Sequence, residues 1–340
     1  MTTAPSLPFT HLDRLTDEVG LFEHALLTEP RPEHGYCLDD AARGLAVACR
    51  SPQASTVTDR LVRRYLDFTL AALAPDGRCH NRRAVGGQWL DAPGAGDWWG
   101  RALWGLGVAA VHAPAPELRR RALDGFRIAA GTRSPDGRAM AFAALGAGEL
   151  LLHDPGEAAA RALLIDAVDA VGAIGADPAW PWPEPRLRYA NGAVVEVLLL
   201  AGIALPAGPP LEAGLHLLDF LLRTESRGAA LSVTGTGGRG PGDPRPDYDQ
   251  QPIEVAALAD ACARAYTATG DPRWRDGVRA AWAWFSGEND AGIAMFDALT
   301  GGGYDGLELN GRNLNQGAES TLAVLSTAQQ ARRVGVLECI

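Results

Sequence analysis

The stretch YDQQPIEVAALADACARAYTATGDPRW, residues 248–274, contains one complete helix and the start of the next. Pro252 suits the first helical position, because its fixed φ is helical and no hydrogen bond needs its missing N–H there. Apolar residues then recur at spacings of three and four until Gly270, Asp271 and Pro272 end this helix and begin another. The stretch therefore predicts a helical hairpin with a very short connection.

The same periodicity extends over most of the chain, and no run of alternating β-branched residues interrupts it. The sequence therefore predicts an all-α protein. The expected helices lie at about 11–27, 38–50, 56–74, 97–112, 116–131, 137–152, 156–174, 189–204, 210–225, 252–269, 272–286 and 315–334. Paired in order, these helices form six hairpins, which favours a ring of αα units in one domain, 1–340.

Small residues mark the even-numbered helices as the inner ring. Ala41, Ala42 and Gly44 in the second helix, and Gly105 and Gly107 in the fourth, allow close approach between helix backbones. The odd-numbered helices carry clusters of arginine and acidic residues instead, which is typical of a face in contact with water.

Composition excludes several classes of function. The 340 residues carry a formal net charge of −10, so a nucleic-acid partner is not expected. The chain contains no lysine, which excludes lysine Schiff bases and a phosphate-loop lysine. The apolar runs are too short to span a membrane, the N-terminus does not resemble a signal peptide, and the five cysteines lack paired spacing. We therefore expect a cytoplasmic protein without disulfides, resident metal or cofactor, although a carboxylate-rich site could hold calcium.

Aromatic, amide and acidic residues concentrate in the segments that precede the inner helices. If the ring closes, these segments converge at one mouth. Aromatic faces beside planar hydrogen-bonding groups suit a mono- or oligosaccharide, which has an apolar face and a rim of hydroxyls. Two carboxylates could then hydrolyse a glycosidic bond, one as acid and the other as base or nucleophile.

Five motifs resemble a bacterial group within the six-hairpin glycosidase-like superfamily whose relatives are often annotated beside glycosyltransferases. These motifs are HGYCLDDAARGL, GDWWGRALWGLG, PWPEPRLRYANGAVVEVLLLAG, the stretch quoted above and GGGYDGLELNGRNLNQGAESTLAVL. The resemblance covers about residues 34 to 330. It implies an (α/α)6 toroid and carbohydrate-active chemistry with acidic catalysts.

Four carboxylates are the candidate catalytic residues: Asp40, Glu254, Glu319 and Asp97. Each also has a structural interpretation. Asp40 could cap its helix or pair with Arg43, Glu254 and Glu319 stand where a carboxylate can complete a capping box, and Asp97 could form an ion pair with Arg101. We expect Glu254 and Asp40 to be the leading pair, with inversion by analogy to toroidal glycosidases.

The remaining polar residues of these segments are candidate sugar contacts: His34, Tyr36, Asp39, His80, Asn81, Trp98, Arg101, Trp182, Glu184, Tyr189, Asn191, Gln250, Gln251, Tyr304, Asp305, Asn315 and Gln316. His34 or His80 could instead exchange protons with a free sugar, as in an epimerase or isomerase of the N-acylglucosamine 2-epimerase type. A glycan-binding toroid without activity remains open, because fold alone does not prove catalysis. A cyclase or lyase is disfavoured by the many amides.

Overall fold

The computed structural model describes residues 7–51, 55–205 and 210–337. In these ranges the chain forms twelve α-helices: α1 (Thr10–Arg14), α2 (Leu38–Cys49), α3 (Thr56–Ala72), α4 (Asp97–His112), α5 (Pro116–Ala129), α6 (Gly137–His153), α7 (Ala158–Val171), α8 (Asn191–Ala204), α9 (Pro210–Thr224), α10 (Pro252–Thr269), α11 (Pro272–Phe285) and α12 (Ala318–Arg333). Of these described helices, none is both long and apolar enough to cross a membrane. The predicted all-α class is confirmed.

Four short two-stranded β-sheets lie in the connections within the described ranges. They are β1–β2 (Ala25–Leu26, Glu29–Pro30), β3–β4 (Tyr36–Cys37, Arg82–Arg83), β5–β6 (Ser226–Arg227, Ala230–Leu231) and β7–β8 (Gly306–Glu308, Gly311–Asn313). Each pair is antiparallel, with Tyr36 opposite Arg83 and Gly306 opposite Asn313. A short 3-10 helix, Pro32–His34, precedes β3.

Eleven of the twelve predicted helices are confirmed, with each end within three residues of its expected position. The prediction of a first helix at 11–27 is wrong, because α1 ends at Arg14. The Asp17 carboxylate accepts hydrogen bonds from the backbone N–H groups of Val19 (2.8 Å) and Gly20 (3.0 Å). This local turn competes with the helical hydrogen-bond pattern and ends it.

The described residues divide into two compact units. The N-terminal unit consists mainly of Leu12–Gly172 and contains α2 to α7. The C-terminal unit comprises residues 7–11, 173–203 and 210–337 and contains most of α8 together with α9 to α12. The single domain over 1–340 remains a prediction.

In the N-terminal unit, α4 packs between α2 and α6. A Cβ on Gly105 would lie 2.5 Å from the Ala42 carbonyl oxygen, and one on Gly146 would lie 2.1 Å from the Leu103 carbonyl oxygen. Helix backbones can therefore meet only because these positions lack side chains. As predicted, small residues allow these helices to approach one another closely.

The C-terminal unit repeats this arrangement with α8, α10 and α12. A Cβ on Gly192 would lie 2.2 Å from the Ala257 carbonyl oxygen, so α8 and α10 also touch through backbone. Two buried polar contacts link the same helices: Arg264 Nε lies 3.2 Å from Glu196 Oε1, and Gln330 Nε2 donates to Asp260 at 2.5 Å. Because each buried charge has a partner, these contacts avoid the cost of an isolated buried ion.

We predict that Gly146→Ala lowers the free energy of unfolding by about 1–3 kcal/mol, because the new methyl group must displace the α4 backbone. Gly125→Ala on α5 is the matched control, since its Cβ would meet chiefly leucine side chains, of which Leu70 Cδ2 is the nearest. Urea unfolding of both variants checks this prediction. Equal stability of Gly146→Ala and the wild type would contradict the close approach of α4 and α6.

Candidate functional site

Asp39 lies at the start of α2 in a polar cluster of the N-terminal unit. Its Oδ1 accepts a hydrogen bond from Arg101 Nη1 at 2.8 Å, and its backbone N–H lies 3.4 Å from Asn81 Oδ1. Arg101 is 5% exposed, and its guanidinium lies 4.4 Å from the ring centroid of Phe142. Three predicted sugar contacts are thus brought together. The predicted ion pair of Arg101 with Asp97 is wrong, because Arg101 pairs across helices with Asp39.

Asp40, the neighbouring candidate catalyst, is buried beside Arg43. Arg43 Nη2 donates to Asp40 Oδ1 at 2.6 Å, which confirms the structural pairing expected from the sequence. Asp40 is 2% exposed. A buried carboxylate in a direct ion pair is well suited to hold the first turns of α2 in place.

Only one of the two ring nitrogens of His80 has a hydrogen-bond partner within the described residues. Its Nδ1 lies 2.6 Å from the Asp91 backbone oxygen, so Nδ1 must carry a proton and donate it. The ring stacks on Trp89 with centroids 5.0 Å apart and planes 11° apart. Within the described residues, Nε2 has no hydrogen-bond partner, and the side chain is 23% exposed. In the neutral ring, Nε2 therefore offers a lone pair in a fixed direction.

Four other candidate residues of this unit lie outside the Asp39–Arg101 cluster and differ in burial. Tyr36 is fully buried, its hydroxyl donates to Asp17 at 2.6 Å, and burial raises its pKa. Trp98 donates from Nε1 to the Cys79 carbonyl at 2.7 Å. His34 is 40% exposed and packs edge-on against His24, and half-buried Asp97 begins α4. Tyr36 and Trp98 thus have structural contacts, whereas His34 remains open to solvent.

In the C-terminal unit, Glu254 caps a neighbouring helix rather than its own. Its carboxylate accepts hydrogen bonds from the Ala190 N–H, from the Asn191 N–H at 3.4 Å and from Asn191 Nδ2 at 3.2 Å. Glu254 is 7% exposed and Asn191 is 1% exposed. These donors stabilise the ionised carboxylate and occupy both of its oxygens.

Gln250, which we expected to face the mouth beside Glu254, is fully buried. Its Nε2 donates to the Asp247 carbonyl (3.0 Å) and Asp290 (2.8 Å), and its Oε1 accepts from Trp284 Nε1 at 3.2 Å. All its side-chain groups are therefore committed within the protein. Gln251 is the N-terminal cap residue of α10, without a side-chain capping bond.

The segment before α12 is held by its own polar residues. Asp305 accepts from the Gly317 N–H at 2.7 Å and donates its own N–H to the Asn315 carbonyl at 2.9 Å. Asn315 in turn donates to Asn313 Oδ1 at 3.0 Å. These bonds explain why α12 begins at Ala318 rather than at the predicted residue 315.

The other predicted residues of the C-terminal unit range from buried to exposed. Gln316 is 3% exposed, half-buried Glu319 lies in the first turn of α12, and Arg312 covers the Tyr304 ring at 3.7 Å. Trp182 is 2% exposed and its Nε1 lies 3.4 Å from half-buried Glu184. By contrast, Tyr189 is 37% exposed. Tyr189 thus presents an aromatic surface that a ligand can reach.

Asp249 is a candidate that residue-by-residue interpretation of the sequence passed over. Burial, followed by the charges of Glu308 and Asp305, raises the pKa of Asp249 to about 6. Its buried Oδ1 has no hydrogen-bond partner within the described residues. The missing side chain of Gly306 leaves room for this carboxylate, since a Cβ there would lie 2.3 Å from Oδ1. The motif contained the residue, but these neighbours come from a segment more than fifty residues away.

One group of possible metal ligands occurs in the described residues: Glu23, Cys37 and Asp40, whose ligand atoms lie within 4.8 Å of one another. Both carboxylates already have arginine partners, Arg82 for Glu23 and Arg43 for Asp40. Burial raises the pKa of the Cys37 thiol well above its ordinary value, which opposes the thiolate that a metal needs. The donor set fits a protein-held ion-pair cluster better than a metal site.

Three solved structures illustrate what the chain resembles. A cellobiose 2-epimerase from Bacillus thermoamylovorans has a TM-score of 0.72 at 10% identity, with 96% of each chain covered. A D-mannose isomerase has a TM-score of 0.68 at 11% identity, covering 96% of this chain and 94% of that one. A cellulase of C. cellulolyticum in complex with cellobiose has a TM-score of 0.65 at 10% identity, covering 94% and 88%. No family model matches the sequence, and no curated protein does either.

These likenesses establish the fold. The predicted fold class, an (α/α)6 toroid of six helical hairpins, is confirmed. The neighbours have the six-hairpin glycosidase-like fold that the sequence motifs implied. At identities this low the likeness carries no residue roles, so the site residues remain candidates.

We predict that Asp249 titrates near pH 6 and that Glu308→Gln lowers its pKa. The variant removes one repelling charge but leaves the larger effect of burial, so the pKa should remain above that of an exposed aspartate, about 4. Glu308 is exposed, so the substitution should not disturb packing. Side-chain carboxyl 13C NMR checks both values, with Glu117→Gln on α5 as the control. A wild-type midpoint near 4 would contradict this description of Asp249.

Proposed function

We propose that this chain is a sugar-processing enzyme that epimerises or isomerises a sugar at the carbon next to its carbonyl group. The observation that carries the proposal is the state of His80. Its Nδ1–H is fixed on a backbone carbonyl, and its Nε2 lone pair has no hydrogen-bond partner within the described residues. A base oriented by a second group is the arrangement that proton abstraction requires.

The chemistry needs one base and one route for returning the proton. Nε2 of His80 takes the proton from the carbon next to the carbonyl, and the bonding pair forms the carbon–carbon double bond of an enediolate. Transfer of the proton from Nε2 to the former carbonyl carbon gives the isomer. The epimer forms when a solvent water gives a proton to the opposite face of the first carbon, and the hydroxide that remains takes the proton from Nε2. Arg101 is joined to the His80 segment through Asp39 and Asn81, and its Nε, which has no hydrogen-bond partner within the described residues, is a donor that suits the developing oxyanion.

The fold neighbours lend further support at the level of reaction class. They include a cellobiose 2-epimerase and a D-mannose isomerase, both of which are named for rearranging sugars without cleaving a glycosidic bond. The hydrolysis predicted from the sequence relied on Glu254 as an acid or base. The Glu254 carboxylate instead accepts hydrogen bonds from three donors at the start of α8, which is a structural contact.

Glycoside hydrolysis is the second candidate because of Asp249. A carboxyl group with a pKa of about 6 keeps its proton at mildly acidic pH, as protonation of a leaving oxygen requires. Hydrolysis that depended on this proton would decline as the pH rises above about 6, because the acid form disappears. The cellulase among the fold neighbours has the matching reaction class in its name.

The test is incubation with cellobiose and, separately, with mannose in deuterated water, followed by NMR. We expect deuterium at the carbon next to the carbonyl and a new epimer or isomer, without new reducing ends. His80→Asn should lower this rate by about 100-fold or more, the usual contribution of a positioned base. His153→Asn, at the exposed end of α6, is the matched control.

New reducing ends without deuterium at a ring carbon would favour hydrolysis instead. Unchanged exchange in His80→Asn would overturn the role of His80. Saturable binding of either sugar with no product would contradict both enzymatic proposals and favour a glycan-binding protein.

A further inference from the structure

The backbone immediately before α8 adopts a conformation that alanine disfavours. Ala190 has a φ of +48°, in the left-handed region where the Cβ of an L-residue crowds the neighbouring carbonyl. Among the described non-glycine residues, only Leu27 shares a positive φ. Ala190 is 1% exposed, so the strained residue lies in the protein interior. Such a conformation persists only where the surroundings hold it.

Glu254, on α10, stabilises this backbone conformation through hydrogen bonds. The Ala190 N–H donates to Glu254 Oε1, and both donors of Asn191 reach Oε2, at 3.4 Å and 3.2 Å. Charge-assisted hydrogen bonds of this kind are stronger than neutral ones. The carboxylate therefore acts on the backbone of residues 190 and 191.

Tyr189 lies between two fixed backbone groups. On one side, Asn191 Oδ1 accepts the Arg188 N–H at 3.0 Å, and Asn191 Nδ2 lies 3.4 Å from the Arg188 carbonyl. On the other side, Glu254 holds Ala190. Tyr189 as a residue nevertheless remains 37% exposed, in contrast to buried Trp182. An exposed aromatic ring on an immobilised backbone is suited to contact the apolar face of a sugar.

We propose that Glu254 is a positioning residue that holds the left-handed turn at Ala190 and thereby presents Tyr189 as a sugar contact of the C-terminal unit. This inference rests on the proposed sugar-processing function, and it assigns Glu254 a role other than the catalytic one expected from the sequence. It makes Tyr189 a sugar contact and leaves proton transfer to other groups.

A double-mutant cycle tests the turn without any sugar. Glu254→Gln keeps the shape of the side chain but removes its charge and replaces one acceptor oxygen by a donor. We expect its melting temperature to fall by about 5 °C. Ala190→Gly permits the left-handed turn without steric cost, so the same Glu254→Gln change should cost clearly less in that background. Equal losses in both backgrounds would overturn the link between Glu254 and Ala190.

A second experiment tests the presentation of Tyr189. Titration of cellobiose and of mannose, followed by NMR, gives affinities, and the turnover assay gives kcat and KM. Tyr189→Ala and Glu254→Gln should each weaken sugar binding by about tenfold while kcat changes little. Tyr189→Phe should stay near the wild type, and Ala190→Gly should restore much of the affinity lost in Glu254→Gln. Glu117→Gln on the outer helix α5 is the control.

Three results would contradict the inference in distinguishable ways. A large loss of kcat in Glu254→Gln with unchanged KM would make Glu254 a catalytic residue. Unchanged affinity in Tyr189→Ala would remove the sugar contact and leave the proposed function standing. No binding of either sugar to the wild type would overturn both the sugar role of Tyr189 and the proposed function, while the stability cycle would still report on the turn.

Discussion

Direct backbone contact between inner helices is the constraint on which the rest of this structure depends. In the N-terminal unit, Gly105 meets the Ala42 carbonyl and Gly146 meets the Leu103 carbonyl, and in the C-terminal unit Gly192 meets the Ala257 carbonyl. Because these helices touch without intervening side chains, their first turns lie close enough to exchange polar contacts. Arg101 on α4 can reach Asp39 on α2, and Glu254 on α10 can reach the start of α8. The polar clusters are a consequence of that packing.

Local signals explain how much of the fold could be predicted. Pro252 marks the start of α10, Gly270 its end and Pro272 the start of α11, and apolar periodicity identifies the helical residues between them. The prediction of helix over residues 15–27 was wrong for an equally local reason. The Asp17 side chain forms a turn there, which apolar periodicity cannot reveal. The late start of α12 has a cause that is not local, because it depends on a hydrogen bond to Asp305, twelve residues before Gly317.

The candidate site was less predictable, because residue roles depend on partners from other elements. The polar segments themselves could be identified, and so could the Asp40–Arg43 pair three residues apart. Spacing along α10 could not reveal that Gln250 is fully buried or that Glu254 turns to α8. Asp249 has a raised pKa only because of burial and of two carboxylates on a distant segment, which no local motif encodes.

The most direct test of a sugar site at His80 is a 15N NMR titration of its imidazole nitrogens with cellobiose and with mannose. We expect an Nε2 resonance that shifts saturably as sugar is added, while exposed His153 does not respond. An Nε2 resonance that stays unchanged up to high concentrations of both sugars would contradict the assignment of this histidine to a sugar-processing site.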